Sequence, residues 1–315
     1  MIISRRSLLK GAAATGTVTA LARCSHARER SGALPEAVGM LYDSTRCIGC
    51  RACVTKCKEV NGLPFDRDAS GIYDTPTDLS STTKNIIKVF RNGDNHAFVK
   101  QQCMHCVDPA CVSVCMMGAL HKEGSGKRNY PTERKGTGIV LYDKGTCVGC
   151  RYCQIACPFN VPKFQWQEAF PVIAKCEMCW HRRDPSQGEP FAIANPACCE
   201  VCPREAVIFG MRASLLAEAK RRIVADPKRY NGRIYGEREG GGTQVLYLAP
   251  AGVSFKDLGM PDLPAESSAH FSESVSHAPY LYGITPVALY AAMAFVLRRR
   301  KKRDDRLQRG GETKR

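Results

Sequence analysis

The chain has little of what acid–base and nucleophilic enzymes depend on. Its 315 residues include only seven histidines, and these form no metal-ligand or triad spacing. No G-x-S-x-G elbow and no glycine-rich nucleotide loop occurs. Gly124-Ser125-Gly126-Lys127 is not a P-loop, because the required spacing and a preceding strand are both missing. Acidic residues are also in deficit, 30 against 46 Lys and Arg, for a formal charge of +16. An excess of that size points to a polyanion only where the cations share one face. Here they gather at the ends. Met1–Ala27 holds four and no acid, and Arg298–Arg315 holds ten against three, leaving 32 against 27 between them. A nucleic-acid groove is not what this distribution describes. With 44% hydrophobic residues the chain can bury a core and is not a disordered polyelectrolyte.

Long apolar runs are equally scarce, and the two that exist lie at the ends. Ser4-Arg5-Arg6-Ser7-Leu8-Leu9-Lys10 precedes a short, weakly apolar stretch from Gly11 to Leu21, and Ser25-His26-Ala27 offers small residues for cleavage after Ala27. Residues 1–27 therefore read as a removable export signal of the twin-arginine type, which carries proteins already folded with cofactors. Leu21-Ala22-Arg23-Cys24 partly matches a lipidation signal, with Arg23 where a small residue belongs. At the other end, Ser274–Leu297 contains no Asp, Glu, Lys or Arg, and six consecutive cations, Arg298–Arg303, follow at once. Some 18–20 helical residues cover most of a roughly 30 Å hydrocarbon layer. Residues 277–297 are thus expected to span a membrane, with the basic tail 298–315 cytoplasmic and the body outside. A buried C-terminal helix is the competing reading, and the cations directly after it argue against that.

What is abundant is cysteine, 18 in all. Seventeen lie in the body and fall into four groups. The first is Cys47-x2-Cys50-x2-Cys53-x3-Cys57, and the third, Cys147-x2-Cys150-x2-Cys153-x3-Cys157-Pro158, repeats it 100 residues later. The second is Cys103-x2-Cys106-x4-Cys111-x3-Cys115; the fourth is Cys176-x2-Cys179, an 18-residue insertion, then Cys198-x3-Cys202-Pro203. Met40-Leu41-Tyr42-Asp43 answers Val140-Leu141-Tyr142-Asp143, and Gly118-Ala119-Leu120 answers Glu205-Ala206-Val207. The order A-B-A′-B′ reads as a duplicated module.

Spacing supplies the chemistry. A C-x2-C-x2-C loop can fold three thiolates around one iron–sulfur cubane, with Gly49 or Gly149 easing the bend. The chain then turns into a helix whose fourth cysteine is carried away, and in two-cluster ferredoxins that thiolate ligates the other cluster. The competing readings are a disulfide scaffold and zinc. Neighbours three residues apart, four times over, suit ligation better than bridging. Zinc would accept the C-x2-C pairs, but sixteen thiols at ferredoxin spacing carry no supporting histidine pattern. Cys198 matches the x3 gap of the other groups and is taken as the ligand, with Cys199 a small core residue; the swap of these two is the alternative.

The four groups resemble those of the four-cluster electron-transfer subunits of membrane-bound oxidoreductases, a duplicated bacterial-ferredoxin fold. The twin-arginine start, the stretch Tyr235-Gly236-Glu237-Arg238-Glu239-Gly240-Gly241-Gly242-Thr243-Gln244-Val245-Leu246 and the tail segment are similar to the ferredoxin-like subunits of periplasm-facing nickel–iron uptake hydrogenases. His105 in Cys103-Met104-His105-Cys106 also fits that family's second group. The cysteine groups themselves do not separate hydrogenase from formate dehydrogenase or other molybdopterin relatives. The resemblance implies an α+β protein with four [4Fe–4S] clusters and crossed ligation. Cys47, Cys50, Cys53 and Cys202 would share the first cluster, and Cys57, Cys176, Cys179 and Cys198 the second. Cys103, Cys106, Cys111 and Cys157 would hold the third, and Cys115, Cys147, Cys150 and Cys153 the fourth. Residues 28–97 with 163–235 would form one ferredoxin-like module, 98–162 the other, and 236–276 an extended tether. The implied role is non-catalytic electron transfer from hydrogenase small and large subunits to an integral membrane quinone-reactive subunit. Arg46, Arg51, Lys56, Lys58, Arg151 and Lys175 lie beside ligands and are candidates to offset the clusters' negative charge. Ser214–Val224 reads as an amphipathic helix, and Asn85–Phe90 as a strand.

Overall fold

The computed structural model describes residues 32–65, 78–92, 95–124, 136–168, 171–182, 195–270 and 289–299. The chain divides into two units, Arg30–Ala269 and a second made of Met1–Glu29 with His270–Arg315. The expected export signal lies outside the described residues. So does most of the expected membrane span; its last part falls in the helix 289–299, whose Leu289, Tyr290, Met293, Phe295, Val296 and Leu297 are exposed. Among the described residues no helix is long and apolar enough to cross a membrane.

The body is built around strand β1, Val38–Asp43, all six residues of which are buried. Two later strands flank it: β8 (Val207–Met211) runs antiparallel, with Met40 opposite Phe209, and β9 (Val245–Leu248) runs parallel, with Met40 opposite Val245. Successive side chains on a strand face opposite ways, so β1 serves two cores. Leu41 joins Leu246 and Leu248 against Leu215 and Ala219 of helix α5 (Arg212–Ala225), while Met40 and Tyr42 face the main core with Cys53, Cys103, Cys176 and Cys198. Helix α5 is the amphipathic segment expected around Ser214–Val224. Its far end is tied down by Arg222, which donates to Asp43 at 3.0 Å; Tyr230 Oη donates to the same carboxylate at 2.9 Å. Gly39 is required beside this sheet, because a Cβ there would collide with the Gln244 carbonyl oxygen.

The duplication is visible in the fold. After the first cysteine loop come helix α1 (Ala52–Val60) and the hairpin β2–β3 (Ile86–Asn92, Asn95–Gln101). After the third come helix α3 (Tyr152–Ala156) and the short hairpin β6–β7 (Lys163–Phe164, Ile173–Ala174). Strands β4 (Leu120–Lys122) and β5 (Val140–Tyr142) pair antiparallel with Leu120 opposite Tyr142, as Val207 stands opposite Tyr42. Two single-turn helices, α2 (Ala110–Ser113) and α4 (Ala197–Glu200), carry the second halves of groups two and four. Helix α1 packs on α4, and α2 on α3.

The segment expected as a tether behaves differently. Tyr235–Leu248 re-enters the body, places β9 in the central sheet and caps the second cysteine loop: Val107 N donates to the Gly242 carbonyl at 2.9 Å and Gln244 N to that of Met104 at 3.1 Å. Beyond it Phe255, Leu258 and Met260 are buried in the main core. These apolar side chains hold residues up to Ala269 within the body unit.

Candidate metal centres

Local backbone geometry prepares each loop for a ligand at its centre. Gly49 and Gly149 adopt φ of +72° and +71°, and Arg51 and Arg151, just before helices α1 and α3, take left-handed φ of 59° and 65°. A left-handed non-glycine residue costs roughly 1 kcal/mol or more and persists only where its surroundings fix it. The result is that amides turn inward onto sulfur. Gly49 N donates to Cys47 Sγ at 3.5 Å, Gly149 N to Cys147 Sγ at 3.4 Å and Met178 N to Cys176 Sγ at 3.4 Å. Leu120 N and Ala206 N reach Cys115 and Cys202 Sγ at 3.5 and 3.3 Å. Such hydrogen bonds stabilise thiolate rather than thiol.

The fold brings the sixteen thiols together in four sets. Cys47 interacts electrostatically with Cys202 and Cys50, and Cys53 with Cys47 and Cys202. Cys57 does so with Cys176, Cys198 and Cys179. Cys106 faces Cys157, Cys111 and Cys103, and Cys153 faces Cys115, Cys147 and Cys150. The first and fourth sets take three thiols from one loop and a fourth from a distant group, whereas the second and third take two from a loop, one from the single-turn helices α4 and α2 (Cys198 and Cys111), and the fourth from the partner group. Links between sets also follow an order: Cys53 reaches Cys198, Cys176 reaches Cys103, and Cys111 reaches Cys153. The sets therefore lie in the sequence first, second, third, fourth. Only Cys50 and Cys150, in the two end sets, are exposed among the described cysteines.

These sets suit a cubane better than the alternatives. All seventeen described cysteines are free thiols. Among the described residues no three of His, Cys, Asp and Glu converge as a single ion bound at about 2.3 Å from sulfur would require. The thiols surround spaces instead. Cys47, Cys50, Cys53 and Cys202 line one cleft, partly open to solvent, and Cys57, Cys176, Cys179 and Cys198 line another. His105, wholly buried with φ +46°, accepts the Val140 amide at Nδ1 (3.1 Å), so its proton sits on Nε2, which has no protein partner among the described residues. A buried donor left over in this way calls for a partner that the described protein groups do not supply.

Burial keeps most of these thiols protonated until metal binds. It pushes Cys53 and Cys57 up to about 12, and Cys103, Cys153 and Cys179 to about 11. Loading therefore expels protons. Cys198 goes the other way, down to about 6, because the Cys199 thiol hydrogen-bonds to it. Cys198 lines the second cleft with Cys57, Cys176 and Cys179.

Of the cations expected near the thiols, Lys58 and Lys175 are buried, whereas Lys56 pairs with Glu59 at 2.7 Å at the surface. Arg151 stacks over the Trp166 ring at 4.6 Å. Two buried lysines were not expected. Lys122 donates to the Cys106 carbonyl at 2.8 Å and is lowered to about 8 by burial. Lys100 is 1% exposed; burial opposes its charge, but the neighbouring Cys198, Cys53 and Cys176 hold it above the usual lysine range. Strand alternation held the signal, since Lys100 is two residues from the buried Phe98 on β3.

Comparison with known proteins agrees with this geometry. Residues 95–212 match the 4Fe-4S dicluster domain family. The chain is 39% identical to the hydrogenase-2 operon protein HybA of Escherichia coli O157:H7, over 96% of this chain and 97% of the relative. The chain belongs to the HybA family. A more distant likeness, 31% over 67% of both chains, joins it to the iron–sulfur subunit of the nitrate-inducible formate dehydrogenase of Escherichia coli K12. It is an iron–sulfur electron-transfer subunit with a ferredoxin-like α+β body.

Proposed function

We propose that this chain holds four [4Fe–4S] clusters and conducts electrons from a periplasmic hydrogenase catalytic dimer to a quinone-reactive subunit in the membrane. The observation that carries the reading is the ordered row of thiol sets with an exposed cysteine at each end and only there. Cys47, Cys50, Cys53 and Cys202 would hold the first cluster, and Cys57, Cys176, Cys179 and Cys198 the second. Cys103, Cys106, Cys111 and Cys157 would hold the third, and Cys115, Cys147, Cys150 and Cys153 the fourth. Each bound cluster would supply reversible one-electron storage. The protein's own part is to fix the thiols, direct amides at sulfur and keep water from the inner sets. Cys57, Cys103, Cys176 and Cys198 of the two inner sets are buried accordingly.

Hydrogenase is favoured over formate dehydrogenase as the parent complex because the HybA likeness runs through nearly the whole chain, the other through two thirds. The two ends of the row differ in surface chemistry. Val148 at the fourth set and Ile48 at the first are both exposed, but Met116, Tyr152, Ile155 and Trp166 add exposed apolar surface at the fourth, where helix α1 carries Ala52 and Thr55 in place of the Tyr152 and Ile155 of α3. Exposed aromatic and aliphatic side chains beside a terminal site suit a permanent subunit interface. The twin-arginine start and the basic tail after a charge-free stretch support an exported body anchored by one C-terminal helix.

Cys150→Ala tests the role. It should abolish hydrogen-dependent quinone reduction in the purified complex while a dye reduced at the catalytic subunit still reacts. Unimpaired quinone reduction would contradict the proposal.

A further inference from the structure

A buried ammonium group ordinarily has a carboxylate nearby, because an unpaired charge in a protein interior is strongly unfavourable. Lys100 is 1% exposed and has none among the described residues: its Nζ donates only to Gln102 Oε1. The strand around it is fixed, with the Tyr247 hydroxyl donating to the Lys100 carbonyl at 2.6 Å and that of Tyr42 to the Phe98 carbonyl at 2.9 Å. The groups facing Lys100 that would carry negative charge once a cluster is bound are thiols. Cys53 belongs to the first set; Cys198 and Cys176 belong to the second. Lys100 also lines the cleft of the first set.

We propose that Lys100 is a shared counter-ion for the first two clusters, a positioning charge that raises the reduction potentials of both and of no others. The inference rests on the four-cluster reading above. A fixed cation favours the more negative, reduced state of a neighbouring cluster, and burial leaves little water to screen it. Other lysines serve the third set, Lys175 acting on Cys103 and Cys111 and Lys122 on Cys106, and Cys153 of the fourth is shifted by burial, by its neighbouring thiols and by its own backbone.

The test is a potentiometric titration of the anaerobically purified complex, followed by low-temperature electron paramagnetic resonance. Cys50→Ala and Cys179→Ala identify the signals of the first and second clusters. Lys100→Met keeps the length of the side chain and removes its charge. It should lower the midpoints of those two signals by at least a tenfold change in the reduction equilibrium, about 59 mV for a one-electron couple. The other two should stay in place, and Lys100→Arg should restore the wild-type values. With full iron content, a shift in neither signal, in one alone, or in all four equally would overturn the proposal. Should Lys100→Met load poorly, the missing iron must come from the first two sets and return in Lys100→Arg; loss confined to one set or spread over all four would also overturn it. Wild-type protein without iron would instead remove the four-cluster reading itself.

Discussion

Cys198 and Cys199 are adjacent, yet their environments assign them opposite parts. Cys198 stands with Cys57, Cys176 and Cys179, and the hydrogen bond from the Cys199 thiol lowers its pKa. Cys199→Ser keeps a donor there and should leave iron content unchanged, whereas Cys198→Ala should lose about four irons per chain. Iron analysis with resonance spectra checks this, and the reverse pattern would exchange the two roles. The thiols were legible because their chemistry is written in local spacing: three cysteines within one loop define a site before the chain is folded. Lys100 was not, because its partners Cys53, Cys176 and Cys198 come from three distant segments and only the closed fold brings them to one strand.

At the scale of elements, helix α5 and strand β1 are joined through Asp43. Its side chain is wholly buried and that of Arg222 only 8% exposed. Arg222→Ala removes the buried cation but leaves Asp43 with Arg46 at 3.7 Å, the Tyr230 hydroxyl and Thr45, so it should cost about 2 kcal/mol, the worth of a charged hydrogen bond, read from urea denaturation. The same helix carries a pH dependence. Hydrogen bonds from Arg221 and Arg222 hold the Glu218 carboxyl down to about 2. Because the folded value lies below the unfolded one, its contribution is complete above pH 4.5 and is lost as pH falls toward 2. Protection of α5 amides, relative to their intrinsic exchange rates, should therefore fall more between pH 5 and 3 than in Glu218→Gln, where the extra loss should vanish. Helix α5 could be read from its 3.6-residue periodicity. Strand β9 could not: Val245-Leu246-Tyr247-Leu248 is a four-residue apolar run buried on all sides, and its parallel partner β1 lies some 200 residues earlier.

On the scale of the whole molecule, duplication explains both what repeats and what differs. Two copies of a loop–helix–hairpin unit supply similar thiol nests, while different surfaces beside Cys50 and Cys150 allow each end a different partner. The charge-free stretch and the cations after it lead to the expectation that truncation after Ser276 releases the body from membranes. Fractionation of cells carrying the truncated chain checks this; continued sedimentation with membranes would show that a partner, not the tail, holds it. The account as a whole depends on inorganic clusters filling the four thiol sets. Its most direct test is iron and acid-labile sulfide analysis of the anaerobically purified chain, with low-temperature resonance spectra after dithionite reduction. The account predicts about sixteen irons with matching sulfide and reduced-cluster signals; protein that is free of iron and silent after reduction, or that holds zinc instead, would contradict it.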